Sequence, residues 1–126
     1  MKVFVYWNLH KKCWSIKSLL GPNKGRVVGH ADRVLLKHVE PKVSEAGRRR
    51  VLRDKQKNVH AGMVGWTKPV HWADRDYIRE TKGRNITYNP YKYETFVYAD
   101  KTDVSFTGSE YALLDASDRS VTVWDY

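Results

Sequence analysis

Residues 2–9 read KVFVYWNL and alternate apolar or aromatic side chains between two faces with a period of two. One face carries the side chains that we expect in a core, which are Val3, Val5, Trp7 and Leu9. Strict alternation of β-branched and aromatic residues is typical of a half-buried strand. After a polar turn at residues 10–12, the segment CWSIKSL (13–19) returns with strand-like composition. The chain is therefore predicted to open with a β-hairpin.

β-strand patterns continue on both sides of a basic segment in the middle of the chain. GPNKG (21–25) is the strongest turn signal, because proline presets φ and Gly and Asn accept positive φ. RVVGHADRVLLKHVEPKV (26–43) predicts two short strands around Ala31 and Asp32, the second ended by Pro41. Residues 67–85 are polar and could hold a short helix at 74–81 or an exposed loop. Further strands are predicted in VHAGMVGW (59–66), DVSFTG (103–108), YALLDA (111–116) and SVTVWDY (120–126). ITYNPYKYETFVYA (86–99) is also β-like, but Asn89 and Pro90 interrupt it with a bulge or a bend.

The basic segment predicts the main helix, over about residues 44–57. Ser44 can cap its N-terminus, and Glu45 in the first turn complements the helix dipole. Glu45 also precedes Arg49 by four residues, which is the favourable order for an ion pair. The apolar content is limited to Ala46, Val51 and Leu52, so this helix would bury one narrow stripe and needs a sheet to pack on.

These patterns together predict the fold class. A chain of 126 residues is long enough for one hydrophobic core, and we expect a single domain over residues 1–126. The class is α+β, with seven or eight short, mostly antiparallel strands and one main helix. A mostly antiparallel curved sheet or a small barrel packed against that helix is the expected architecture.

Several classes of protein are disfavoured by composition. No apolar run approaches the roughly 20 residues of a membrane span, and the N-terminal residues lack the apolar region of a signal peptide. The lone cysteine, Cys13, excludes an internal disulfide and a cysteine-cluster zinc site, and we expect it to be packed beside Trp14. These features predict a cytoplasmic protein.

Charge is distributed unevenly along the chain. The formal net charge is +9, but residues 1–92 hold 21 Lys and Arg against 7 Asp and Glu, whereas residues 93–126 hold 2 against 7. A basic body favours polyanionic partners such as DNA, RNA, an anionic membrane surface or an acidic protein. The acidic C-terminal third indicates that one face, rather than the whole surface, carries the positive field.

The predicted helix is the first candidate binding site. Its cations are Arg48, Arg49, Arg50, Arg53, Lys55 and Lys57. Because successive helical residues are about 100° apart, only Arg49, Arg53 and Lys57 form a continuous stripe, with Arg50 beside it. Guanidinium groups bind phosphate oxygens bidentately, so such a stripe could follow a sugar–phosphate backbone. The competing interpretation is an ordinary solvated helix face.

The second candidate is the aromatic segment YNPYKYETF (88–96), in which Lys92 lies between Tyr91 and Tyr93. Exposed aromatic rings beside cations can stack on single-stranded bases. The alternative is that the rings fill the core, which is the better interpretation for Trp7. If only one sheet face is covered, we expect Tyr91 and Tyr93, rather than Phe96 and Tyr98, to point outward.

Histidine chemistry is the third candidate. The five histidines lack the spacing of known metal-ligand motifs, so no metal site is predicted, although HWADRD (71–76) is the most ligand-like stretch. A metal-free ribonuclease could pair His60 with His30, and Arg49 or Arg53 could bind the phosphate. For each histidine, a surface or structural role is the simpler interpretation. No cofactor is predicted, because the sequence has no P-loop or dinucleotide fingerprint.

A resemblance to a known family is carried by three stretches, which are VYWNLHKKCWSI (5–16), SEAGRRRVLRDKQKNVHAG (44–62) and YNPYKYETF (88–96). They resemble a family of small uncharacterised proteins encoded by tailed bacteriophages and prophages. The resemblance implies no catalytic residue. It does imply a phage product made in a bacterial cytoplasm, where small basic proteins often bind nucleic acid or disable a host machine.

Three functional hypotheses follow. The leading one is a non-catalytic protein that binds nucleic acid, DNA or RNA, through the basic helix. The second is an inhibitor of a host nuclease or defence complex, a host protein being the partner. The third is a small nuclease centred on His60. None of the three requires a small-molecule cofactor.

Overall fold

Ten strands in one antiparallel sheet and one α-helix make up the part of the chain that the structure describes. This computed structural model describes residues 1–8, 10–54, 61–67, 82–118 and 120–124. In chain order the elements are β1 Lys2–Asn8, β2 Cys13–Ser18, β3 Val27–Ala31, β4 Arg33–Val43, α1 Glu45–Asp54, β5 Ala61–Trp66, β6 Arg84–Thr87, β7 Val97–Tyr98, β8 Lys101–Ser105, β9 Ser109–Asp115 and β10 Ser120–Trp124.

The predicted N-terminal hairpin is confirmed. β1 and β2 pair antiparallel, with Val5 opposite Ile16 and Trp7 opposite Trp14. The two indole rings meet edge to face at 5.1 Å between centroids, a favourable aromatic arrangement. Trp14 is buried and Trp7 packs against the core, so the assignment of Trp7 to the core is also confirmed.

The order of strands across the sheet is β3-β2-β1-β5-β4-β9-β10-β6-β7-β8. Only Asp32 separates β3 from β4 in the chain, yet four strand spacings separate them in this order. Four spacings would span about 19 Å in a flat sheet, which one residue cannot bridge. The sheet must therefore curl, and one core cluster draws side chains from both of its halves, including Val3, Met63, Leu114 and Phe106.

The predicted α+β class and curved sheet are confirmed, whereas the small barrel is wrong. β3 and β8 end the strand order, and among the described strands nothing pairs them to each other. β8 has the sequence KTDVS, with Lys101 and Asp103 exposed. Charged side chains on an edge strand favour solvent over a further strand, which keeps the sheet open at this side.

A β-bulge interrupts the pairing of β4 with β5. His38 has a positive φ of 54°, and the pairing with β5 shifts register between Lys37 and Glu40. Before the bulge, Leu36 faces the core, and after it the odd-numbered Val39 does so. The extra residue thus keeps apolar side chains on one face of an 11-residue strand.

Pro41 does not end β4, contrary to the sequence-based expectation. It lies within the strand, opposite Met63 of β5. The pairing between β4 and β9 runs only as far as Val39, opposite Ser109. β4 has therefore lost its neighbour on one side at Pro41, and a residue without an amide hydrogen is tolerated there as on an edge strand.

The glycines of β5 permit close approach of neighbouring strands. A Cβ atom on Gly62 would lie 1.9 Å from the Val5 carbonyl oxygen, which no real side chain could accept. β5 pairs with β1 on one side and with β4 on the other, so it joins the N-terminal hairpin to β4. The predicted strand at 59–66 is therefore confirmed from Ala61 onward, and its first two residues lie outside the described ranges.

Candidate nucleic-acid interface

The candidate interface is built on α1, and its start is as predicted. The Ser44 hydroxyl accepts a hydrogen bond from the Gly47 amide at 3.2 Å, and the Ser44 carbonyl accepts one from the Arg48 amide at 2.8 Å. This is the N-cap geometry that satisfies free amides in the first helical turn. The described helix ends at Asp54, and its predicted continuation to residue 57, with Lys55 and Lys57, lies outside the described residues.

One side of α1 is buried and the other is exposed and basic. Val51 is only 1% exposed and anchors the helix. Arg49, Arg50 and Arg53 are exposed. Arg49 and Arg53 are one helical turn apart, so their backbone positions share a face and are separated by about 6 Å along the axis.

Arg48 is an exception, because it lies partly buried rather than exposed as expected. Its Nε atom is inaccessible and has no hydrogen-bond partner among the described residues, and the same is true of the Tyr88 hydroxyl. Burial raises the pKa of Tyr88, the positive charge of Arg48 opposes that shift, and the negative charge of Glu45 adds to it. Arg48 and Glu45 of the helix therefore lie close to Tyr88, which follows β6.

Tyr88 is the residue that the sequence analysis missed. It belongs to the predicted aromatic segment, but its contact with α1 joins residues that are 40 positions apart in the chain. Its ring also packs on Phe96 in the core, with 5.2 Å between centroids. No local pattern in the sequence distinguishes Tyr88 from the tyrosines that follow it.

The aromatic segment forms a turn at the interruption that Asn89 and Pro90 predicted. The Asn89 side chain accepts a hydrogen bond from the Tyr91 amide at 2.9 Å, and its carbonyl accepts bonds from the amides of Lys92 and Tyr93. Asparagine caps turns in this way because its short side chain reaches the amide two residues on. Tyr91 is 54% exposed and Lys92 is exposed, whereas Tyr93 is half-buried. The expected outward pair of tyrosines on a sheet face is therefore replaced by one exposed ring on a turn.

The structure brings the helix and this turn together. Tyr88 lies beside Arg48, and Tyr91 is three residues further along, a distance of at most about 10 Å. We use the term basic surface for the exposed side chains of the helix and the turn, which are Arg49, Arg50, Arg53, Tyr91 and Lys92.

The acidic residues of the C-terminal third pair with cations elsewhere in the sheet. Asp115 accepts a hydrogen bond from Arg33 Nε at 3.2 Å, and Asp100 accepts one from Arg84 Nη2 at 3.1 Å. Glu110 lies 3.9 Å from Lys37 Nζ. These carboxylates offset part of the positive charge that the strands carry.

The described residues include only one member of the proposed histidine pair. His30 is exposed, its Nδ1 lies 3.1 Å from the Ser15 hydroxyl, and its Nε2 lies 3.3 Å from Lys11 Nζ. Its proposed partner His60, and the stretch at 71–76, lie outside the described ranges. Within those ranges, no group of three His, Cys, Asp or Glu side chains could hold a metal ion. Nor does the described part contain a helix long and apolar enough to span a membrane.

Comparison with known proteins places the chain in a phage family. Residues 1–122 match the family model described as Mycobacterium phage L5 gene 82 protein. The chain is 40% identical over 123 residues to the Gene 82 protein of Mycobacterium phage L5, an alignment that covers 93% of this chain and 92% of that protein. No solved structure matches. The resemblance to a bacteriophage family is confirmed, and the chain belongs to the family of the Mycobacterium phage L5 gene 82 protein.

Proposed function

We propose that this protein binds nucleic acid through the basic surface, without catalysis. The observation that carries the proposal is the exposure of Arg49, Arg50 and Arg53 on one short helix. Each arginine that contacts a phosphate releases condensed counterions, which supplies affinity that does not depend on base sequence. Arginine is also suited to phosphate because its planar fork makes two parallel hydrogen bonds.

The exposed ring of Tyr91 supports a preference for single strands. Unpaired bases offer their faces for stacking, whereas the bases of a duplex are stacked on each other. Tyr88 lies close to Arg48, and Tyr91 is three residues further along the same turn. A backbone bound by the arginines could therefore place a base on the Tyr91 ring. Lys92 adds a further cation at this point.

The first experiment measures the affinity for short single-stranded RNA, single-stranded DNA and duplex DNA by fluorescence anisotropy over a range of salt concentrations. Three phosphate contacts predict a slope of log K against log salt of about −2 to −3. An affinity that does not change with salt, or no binding at low salt, would contradict the proposal.

Charge reversal tests which surface binds. The double variant Arg49→Glu with Arg53→Glu should lower affinity by more than about tenfold at low salt, because two attractive contacts become repulsive. Far-UV circular dichroism of each variant checks that a loss of affinity does not arise from unfolding. The matched control is Lys24→Glu with Lys101→Glu, which changes net charge equally at exposed positions in the turn before β3 and on β8. Equal losses in both double variants would show that net charge, not the helix, determines binding.

Substitution of Tyr91 tests the stacking contact. Tyr91→Ala should weaken binding of single strands by about 1–3 kcal/mol, and Tyr91→Phe should retain it, because stacking requires the ring and not the hydroxyl. Duplex binding should respond little to either change. If Tyr91→Phe weakens binding as much as Tyr91→Ala does, the ring does not stack on a base.

A second function is favoured by the residue types of the same surface. Tyrosine and arginine are enriched at the energetic centres of protein interfaces, and a phage protein with both exposed could block a host nuclease or defence complex. A tagged protein would then retain a host partner from lysate after nuclease treatment. Recovery of a partner only before that treatment would favour nucleic-acid binding instead.

A further inference from the structure

The β3 edge of the sheet exposes apolar side chains. Among the described strands, β3 pairs only with β2, and none of them lies on its other side. Val27 is 45% exposed, Val28 is 42% exposed, and Leu20 in the preceding loop is 50% exposed. An exposed edge strand presents unpaired backbone amides and carbonyls to any further strand that can approach it.

The edge strands at the two ends of the sheet differ in their content of charged side chains. The strand at the opposite end, β8, carries Lys101 and Asp103, and such charges discourage further pairing. β3 has the sequence VVGHA and contains no Lys, Arg, Asp or Glu. β3 thus lacks the charged side chains that protect β8.

The residues that flank β3 have opposite charges. Arg26 precedes the strand and Asp32 follows it, and both are exposed. If two copies of β3 pair antiparallel about a two-fold axis at Gly29, then Arg26 of each copy lies opposite Asp32 of the other. The same register places Val27 opposite Ala31 and Val28 opposite His30. A two-fold interface is self-complementary in this way, and it makes the ion pair twice.

We propose that the protein forms a symmetric dimer in which two β3 strands join two sheets into one. This goes beyond the proposed function and does not depend on it. Gly29 at the centre of the register has open space where a Cβ would lie, so no side chain there obstructs the second strand. The proposed backbone pairing between the two copies of β3 ends at Ala31, because the Asp32 carbonyl already accepts a hydrogen bond from the Ala116 amide.

Sedimentation velocity at concentrations from about 1 µM to about 500 µM tests the proposal, because a small strand-pair interface is expected to be weak. The wild-type protein should change from monomer to dimer over this range. Val28→Lys should stay monomeric at all concentrations, since it places an edge-protecting charge within the strand. A wild-type protein that stays monomeric throughout would overturn the proposal, and would show that this edge is not paired with a second copy.

Charge exchange tests the register. Arg26→Asp should weaken dimerisation at least tenfold, because like charges then face each other twice, and Arg26→Asp combined with Asp32→Arg should restore it. Lys24→Asp is the control, since it makes the same charge change outside the paired strand. Far-UV circular dichroism would confirm that each variant is folded. A double variant as weak as Arg26→Asp alone, or a loss of the dimer in Lys24→Asp, would overturn the two-fold register about Gly29.

Discussion

At the scale of single residues, Arg48 and Asp115 show how neighbours decide what a charged side chain does. Arg48 belongs by sequence to a run of three arginines, but it turns toward Tyr88 while Arg49 and Arg50 remain exposed. Asp115 belongs by sequence to the acidic C-terminal third. Its carboxylate accepts hydrogen bonds from the Ser117 amide at 3.0 Å and hydroxyl at 2.8 Å.

The hydrogen bonds to Asp115 predict a pH dependence of stability. The bonds from Ser117, helped by the charge of Arg33, hold the pKa of Asp115 below its ordinary value of 3.8. Because the folded pKa is lower than the unfolded one, the stabilisation is fully present above the unfolded value. It is lost as pH falls below about 4 and through the folded pKa. Urea unfolding of the wild type and Asp115→Asn should therefore differ at pH 7 and converge toward pH 2.

The control for this prediction is Asp103→Asn on the exposed edge strand β8. It removes the same charge, so its effect on unfolding at pH 7 measures the general consequence of a more positive protein. A difference between wild type and Asp115→Asn that stays constant down to pH 2 would contradict the pKa argument.

At the scale of elements, local signals decide where the helix begins, and long-range contacts decide how it is oriented. The Ser44 cap is a local signal, because its hydroxyl bonds an amide only three residues away. The side of the helix that is buried carries Val51 and Arg48, and it is determined by contacts with residues outside the helix, such as Tyr88. The bulge at His38 shows the same division, since it aligns the apolar residues of β4 with a core formed by other strands.

Removal of the helix cap has a predicted cost. Ser44→Ala should lower the free energy of unfolding by about 1 kcal/mol, because the Gly47 amide loses its acceptor. Ser44→Asp should retain most of the stability, since a carboxylate can accept the same bond and also suits the helix dipole. Urea denaturation at neutral pH measures both. If the two variants lose equal stability, the hydroxyl does not act as a cap.

At the scale of the whole molecule, the sheet interleaves early and late parts of the chain. β4 lies between β5 and β9, and its pairs with β9 join residues about 75 positions apart, such as Lys37 with Tyr111. The core cluster likewise combines Val3 and Val5 of the first strand with Val121 and Val123 of the last. Neither half of the chain therefore has a core of its own within the described residues.

This interleaving predicts a single cooperative unfolding transition. Urea unfolding followed by tryptophan fluorescence and by far-UV circular dichroism should give coincident curves, because loss of either half exposes the core of the other. Measurements are best made at low micromolar concentration, where the proposed dimer is dissociated. Two separated transitions would show that the chain contains two independent folding units, contrary to the single domain expected from its length.

The sequence by itself determined the local structure of this protein. The alternation in residues 2–9 identified a strand, and Ser44 and Glu45 marked the helix start. These signals act between residues a few positions apart, so they are visible in a linear pattern. The length of β4 was predicted incorrectly. Pro41 is tolerated within the strand because the pairing of β4 with β9 ends at Val39, and only the order of strands in the sheet reveals this.

Tertiary structure alone decided which of the predicted site residues come together. The proximity of Arg48 and Tyr88 brings the tyrosine turn close to the basic helix, and the order of pairing puts β3 at one end of the described sheet. Both results depend on contacts between residues far apart in the chain. The energy of such contacts comes from burial and packing in three dimensions, which leave no fixed spacing in the sequence.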